Sequence, residues 1–254
     1  VDMPYPGVRT YYSRIYEAKF LLGALAGTLA EDARIGYVAD APVFGTPAAI
    51  NAFALGAQLT RPDAQILLRW SCCEQEPAAA LAAEGLGMIC AHDLKRPGQE
   101  NGWRGLCRVE DGKPRREALP VRNWGEIYIR LARSILRGGW DELNAAGAVN
   151  YWWGMASGMI DVLQSRSLPR GTKRLAAILH KGLCSGTIVP FEGELYAQGG
   201  VMIQAEDKQM EPEEILRMDW LAENVEGHIP AFDDLIEEAK PLVRLQGIYK
   251  EAQV

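Results

Sequence analysis

Residues 34–70, RIGYVADAPVFGTPAAINAFALGAQLTRPDAQILLRW, decide the fold. RIGYVAD (34–40) is short, rich in apolar residues and closed by a turn, so it reads as a buried strand. APVFGTP is a loop, and TPAAINAFALGAQL (46–59) reads as a helix with Thr46 as cap and Pro47 at its first position. QILLRW (65–70) is the next strand. Strand, short loop, helix, short loop, strand is the building unit of a parallel, doubly wound α/β sheet.

The alternation continues outward. Downstream come the SCCEQ loop, a short helix EPAAALAAEG closed by Gly85, and a third strand, LGMICAHD (86–93). A loop, KRPGQENG, leads to WRGLCRVEDG (103–112), which contains a fourth short strand, and EALPVRNWG (117–125) is another candidate. WGEIYIRLARSILRGG is a long helix with Ile127, Leu131, Ile135 and Leu136 on its inner side. AVNYWWGMASGMIDVL (148–163) alternates and carries two glycines, which predicts strand, turn, strand. Then follow a helix (171–183), a strand (GTIVPFEGELY) and a hairpin around QGGVMIQ. EPEEILRMDWLAENVEG (211–227) is expected to be a helix with an acidic first turn, and Pro241 should kink or split the tail helix. Upstream, YYSRIYEAKFLLGALAG (11–27) reads as an amphipathic helix capped by Ser13, with Ile15, Leu22, Ala26 and Leu29 as its buried stripe. Gly23 and Gly27 flatten one flank for close packing on a sheet.

Composition narrows the function. The 254 residues can form one large domain or two lobes. The net charge of −6, with no Lys/Arg-rich stripe, argues against nucleic acid as a partner. The longest apolar stretch, FLLGALAGTLA, is too short to span a bilayer. Five cysteines (Cys72, Cys73, Cys90, Cys107, Cys184) form an odd set without CxxC spacing, so neither a disulfide framework nor a zinc site is written here. Adjacent Cys72 and Cys73 could bind a soft metal or form a redox pair, with loop and core thiols as the plainer reading. Free thiols suit a reducing compartment.

In open α/β sheets ligands bind beyond the carboxyl ends of the strands. Those positions are Asp40–Gly45, Trp70–Cys73, His92–Asp93, Arg108–Asp111, Asn123–Trp124 and Trp153–Met155. Aromatic residues mixed with a few hydrogen-bonding groups suit a flat ligand of little charge, stacked between rings. His92-Asp93 is the most catalytic-looking pair, but no GxSxG, HExxH or GxxxxGK[ST] accompanies it, so no catalytic residue, cofactor or metal is assigned.

Six strings, in order over nearly the whole chain, carry a resemblance: YYSRIYEAKFLLGALAG, IGYVAD through QILLRW, ICAHD, PVRNWGEIY, YWWGMASGMIDV and MDWLAENVEGHIP. Together they resemble the basic membrane protein family, substrate-binding lipoproteins of ABC importers, many of them selective for purine nucleosides or related bases. The resemblance implies an α/β, two-lobed periplasmic-binding-protein-like (type I) fold with parallel doubly wound sheets. Residues 11–118 would form a complete second lobe, and 119–254 the returning part of the first lobe with the hinge crossover. It implies ligand-binding roles for Tyr12, Arg14, Asp40, Phe44, Trp70, His92, Asp93, Asn123, Trp124, Trp153 and Met155. The partners implied are a purine nucleoside or nucleobase and, if the protein is exported, a transporter permease in the cell envelope. Two departures stand out. The family's opening portion, with its D-x-G-x-x-D-x-S-F-N type motif, has no counterpart here, so a separate N-terminal segment is expected to complete the first lobe. LCRVEDG (106–112) replaces a G-x-D-x-D segment, with Glu110 and Asp111 as rough substitutes. Two further readings stay open: a cytoplasmic ligand-sensing module on the same fold, and an enzyme built on His92 with Cys72 or Cys73.

Overall fold

The computed structural model describes residues 11–93, 102–138 and 151–248. Its centre is the predicted unit. Strand β1 is Tyr11–Ser13, helix α1 Ile15–Leu29, β2 Arg34–Ala39, α2 Thr46–Thr60 and β3 Gln65–Trp70. Helix α3 (Pro77–Ala83) leads to β4 (Met88–Cys90), and β5 (Leu106–Glu110) and β6 (Lys113–Arg122) form a hairpin. Helix α4 (Trp124–Leu136), β7 (Tyr151–Trp153), β8 (Ile160–Gln164) and α5 (Arg170–Ser185) follow. The chain ends with β9 (Leu195–Ala197), β10 (Val201–Gln204), α6 (Pro212–Leu216), β11 (Val225–Glu226) and α7 (Lys240–Gln246).

Seven strands make the main sheet in the order β11-β3-β2-β4-β5-β6-β8. The first four are mutually parallel, as the βαβ reading requires, whereas β5, β6 and β8 run antiparallel to their neighbours. A tight turn makes the β5–β6 pair antiparallel. Asp111 and Gly112 both have positive φ, 51° and 72°, the two-residue geometry that returns a strand alongside itself. The expected lobe boundary at 118/119 falls inside β6, and β8 and β11, from beyond it, share this sheet.

Alternation sorts the sheet residues onto two covered faces. Ile35, Tyr37, Ile66, Leu68, Met88 and Cys90 join α1 and α2 in the main core. Val38, Leu67, Ile89 and Cys107 face Ala78 and Leu81 of α3. Helix α1 is buried on every side, Glu17 and Lys19 included, and not along one stripe. Its flat flank meets a helix, not the sheet. A Cβ on Gly23 would lie 2.0 Å from the Phe53 carbonyl oxygen of α2, and one on Gly56 would lie 2.0 Å from the Phe20 oxygen of α1. Only residues without side chains allow backbones this close.

Five local expectations are corrected. Ser13 lies in β1, so Arg14 and not Ser13 occupies the position before α1; likewise Gly45, not Thr46, precedes α2. Helix α4 buries Ile127 alone, while Ile135 and Leu136 are exposed, the latter at 85%. The segment 186–196 is strand only from Leu195, because Gln204 donates to the carbonyls of Phe191, Gly193 and Lys208 and so holds the loop without a ladder. Residues 211–227 are helical only over Pro212–Leu216. Beyond it, the segment is tied across α2 by Asn51, which donates to Trp220 O and accepts from Ala222 N–H, and by Asn224, which donates to Ala54 and Ala64 oxygens. Pro241 sits in the first turn of α7, so the tail is split as expected. The loop expected after Asp93, apart from Gly102, and the start of the 148–163 segment lie outside the described residues.

Candidate functional site

The carboxyl ends of β2 and β4 open onto a cavity of about 250 Å³. Asp40 comes from the end of β2, His92 and Asp93 from the end of β4, and Phe44, Gly45 and Thr46 from the loop that starts α2. Tyr12 of β1, Lys19 of α1 and Arg122 at the end of β6 complete the polar and aromatic wall. Two larger hollows, each about 500 Å³, lie elsewhere. In the first, Arg108 and Arg115 are both committed to the buried Glu117. In the second, Arg69 is held by Glu74 and Glu84. The smaller cavity is where strand ends and a helix start converge, the position that the topology of an open sheet assigns to ligands.

Two polar pairs structure the wall. His92 Nδ1 lies 2.6 Å from Asp40 Oδ1; the histidine is buried and the carboxylate half exposed. Ser71, just past β3, donates its hydroxyl to Asp40 as well, so the ends of three parallel strands are linked. Beneath them Lys19 Nζ donates to Asp93 Oδ1 at 2.5 Å, contacts Cys90 Sγ at 3.7 Å and lies 5.2 Å from the centre of the Tyr37 ring. Burial opposes the Lys19 charge, but Asp93, helped by Cys90 and Tyr37, outweighs it and holds the ammonium pKa well above its ordinary value. Tyr12 stacks on Trp152 at 4.6 Å, and burial pushes its phenol up. Its hydroxyl is buried with no hydrogen-bond partner among the described residues.

Of the eleven predicted ligand residues, Tyr12, Asp40, Phe44, His92 and Asp93 share this cavity. Arg14, Trp153 and Met155 meet one another instead, at a buried joint beside it. The Arg14 N–H donates to Trp153 O at 2.7 Å, and Glu17 pairs with Arg14 and accepts the Met155 N–H at 2.6 Å. Burial raises the Glu17 pKa, with Arg14 and the Met155 N–H opposing. Trp70 lies outside the cavity, in the main core and beside the second hollow, its indole donating to His228 O. Asn123 and Trp124 lie exposed at the start of α4, with Trp124 edge-on to Tyr11. Glu110 is tied to Arg115 beside the hairpin turn at Asp111-Gly112. Lys19 and Arg122 are the charged wall residues that the sequence reading missed. The signal for Lys19 was a lone cation inside the apolar run of α1.

A purine-binding protein of Brucella abortus (strain 2308) is 26% identical over 234 residues, 87% of this chain and 65% of that protein. The chain resembles a solute-binding protein of the basic membrane protein type. A putative ABC transporter glucose-binding protein of Haloferax volcanii is 29% identical over 163 residues, 59% of this chain and 40% of that protein. The chain therefore spans less than two thirds of the length of either relative. Two solved structures share the fold. An ABC transporter solute-binding protein of Aeropyrum pernix K1 has a TM-score of 0.52 at 12% identity, over 74% of this chain and 67% of that one. A transcriptional activator of the comK gene from Bacillus halodurans has a TM-score of 0.50 at 13% identity, over 69% and 65%. The fold is α/β and periplasmic-binding-protein-like. No protein-family profile matches the chain.

Proposed function

We propose that the protein is a solute-binding protein that takes a purine-like ligand, base or nucleoside, into the cavity at the ends of β2 and β4. The observation that most supports this is the convergence of the Tyr12 and Phe44 rings with Asp40, His92 and Asp93 around one hollow. Rings hold a flat heterocycle by stacking, and carboxylates accept its N–H and O–H groups. The Brucella relative is named for purine binding, which agrees with that chemistry. Its action is capture, not catalysis. Ligand shifts the population toward the form whose walls close on it, by its differential affinity for that form. On this reading the partner is an ABC transporter permease, and the place of action is outside the cytoplasmic membrane. The likeness to the Bacillus halodurans activator is one of fold and carries no regulatory role with it.

Thermal unfolding with hypoxanthine, adenine, inosine, guanosine and glucose tests the reading. A ligand present at 100 times its Kd stabilises the folded state by about 2.7 kcal/mol, a rise of several degrees in Tm. At least one purine is expected to give that rise, and Phe44→Ala with Asp40→Asn to abolish it. A rise with glucose alone, or with no member of the panel, refutes the proposal.

A further inference from the structure

Lys19 is the least expected residue in the cavity wall. Its side chain is 4% exposed, on a helix whose other buried residues, Glu17 apart, carry no charge. Burying an ammonium is costly, and a buried ion pair commonly stabilises a fold no better than apolar residues of the same volume. Stability alone therefore gives no reason for a lysine where leucine or methionine would fill the space. What the lysine does have is one strong contact, with Asp93, whose side chain is 16% exposed and lines the cavity. A carboxylate has about four acceptor positions. Among the described residues, Lys19 is the donor that Asp93 meets.

Building on the purine-site reading, we infer that Lys19 is a positioning residue. It holds Asp93 in place as the acceptor for a hydrogen-bond donor of the ligand, a ring N–H or a ribose hydroxyl. Lys19 makes no contact with the ligand itself. The pair thus selects for donor-bearing heterocycles over those of the same shape without donors, because a carboxylate left facing an apolar ligand edge is unsatisfied.

The test compares the wild-type protein with Lys19→Met by calorimetric titration against hypoxanthine, inosine and 9-methylpurine, which carries neither N–H nor O–H. Lys19→Met is expected to weaken hypoxanthine and inosine at least about tenfold, the range of a charge-assisted hydrogen bond, and to leave 9-methylpurine unchanged. Loss with both purines assigns the contact to the ring, and loss with inosine alone assigns it to the sugar; either supports the inference. Equal affinities in the two proteins, or one common factor lost for all three ligands, overturns it, the latter marking a purely structural lysine. A Lys19→Met/Asp93→Asn protein, free of both charges, guards against misfolding. It is expected to unfold cooperatively and to share the loss, and wild-type affinity in it would also overturn the inference. A wild-type protein that binds no purine defeats the functional reading itself and this inference with it.

Discussion

Replacing Gly45 by alanine joins backbone and cavity in one measurement. Gly45 has a φ of +81°, and its N–H donates to Leu216 O at 2.9 Å, so the peptide cannot rotate freely to a more comfortable angle. A left-handed conformation costs a residue with a Cβ about 1–2 kcal/mol. The new Cβ would also stand 2.1 Å from the Tyr12 hydroxyl oxygen. Contacts under 3.0 Å do not occur, so the hydroxyl must retreat by roughly 0.9 Å while its ring is stacked on Trp152. Overpacking of this kind adds about 1–3 kcal/mol, and the loss of glycine's freedom in the unfolded chain returns about 0.4–1 kcal/mol. The net expectation is a destabilisation of about 2–4 kcal/mol, read by urea unfolding with tryptophan fluorescence. Tyr12→Phe in the same chain should recover part of it. Removing the hydroxyl relieves the nearest contact, but not the ring atoms at 2.7 and 2.8 Å nor the backbone strain. By itself Tyr12→Phe should cost little, since the hydroxyl is unpartnered among the described residues. A Gly45→Ala cost under about 1 kcal/mol, or no coupling between the two changes, would refute this account of the wall.

Other outcomes are as definite. Ile127→Ala should cost about 2–4 kcal/mol and Leu136→Ala less than about 0.5 kcal/mol, since only the first is buried; equal costs in urea unfolding would contradict the placement of α4. Iodoacetamide should label the partly exposed Cys73 and Cys184 before the buried Cys72, Cys90 and Cys107, as peptide mass spectrometry would show. Burial pushes the Cys72 and Cys90 thiols up to about 12 from an ordinary 9.0. The folded state therefore keeps protons that the unfolded chain releases, and stability falls as pH rises through 9 toward 12. Buried Tyr37, raised by its surroundings, acts in the same direction, and so does Lys19. Urea midpoints that stay level from pH 8 to 10 would argue against those burials.

The elements legible in the sequence were those whose signal is local. QILLRW occupies β3 residue for residue, and Gly85 has the positive φ that ends a short helix. Long-range partners decided the rest. Helix α4 is strongly amphipathic in sequence, but the pattern names a face without naming what covers it. Residues 217–225 carry helix-like apolar spacing, but Asn51 of α2 binds Trp220 O and the Ala222 N–H, and Asn224 of the segment itself donates to the Ala54 and Ala64 oxygens. The strand-end rule found Asp40, Phe44, His92 and Asp93 because β2 and β4 are parallel neighbours flanking the cavity, whereas Tyr12 came from the family resemblance. The rule missed Lys19, which reaches the cavity from a helix, and it listed Trp153 and Met155, whose backbones bond Arg14 and Glu17.

The glycine crossing of α1 and α2 has a mechanical meaning. Two helices in backbone contact at Gly23 and Gly56 have no compressible side-chain layer between them. Helix α1 can shift only as a rigid shaft, carrying α2 with it. Lys19 near one end touches the cavity, and Glu17, two residues earlier, grips the Met155 amide. Asp93 in the cavity wall and the Met155 amide at the neighbouring joint are thus anchored two residues apart on one shaft.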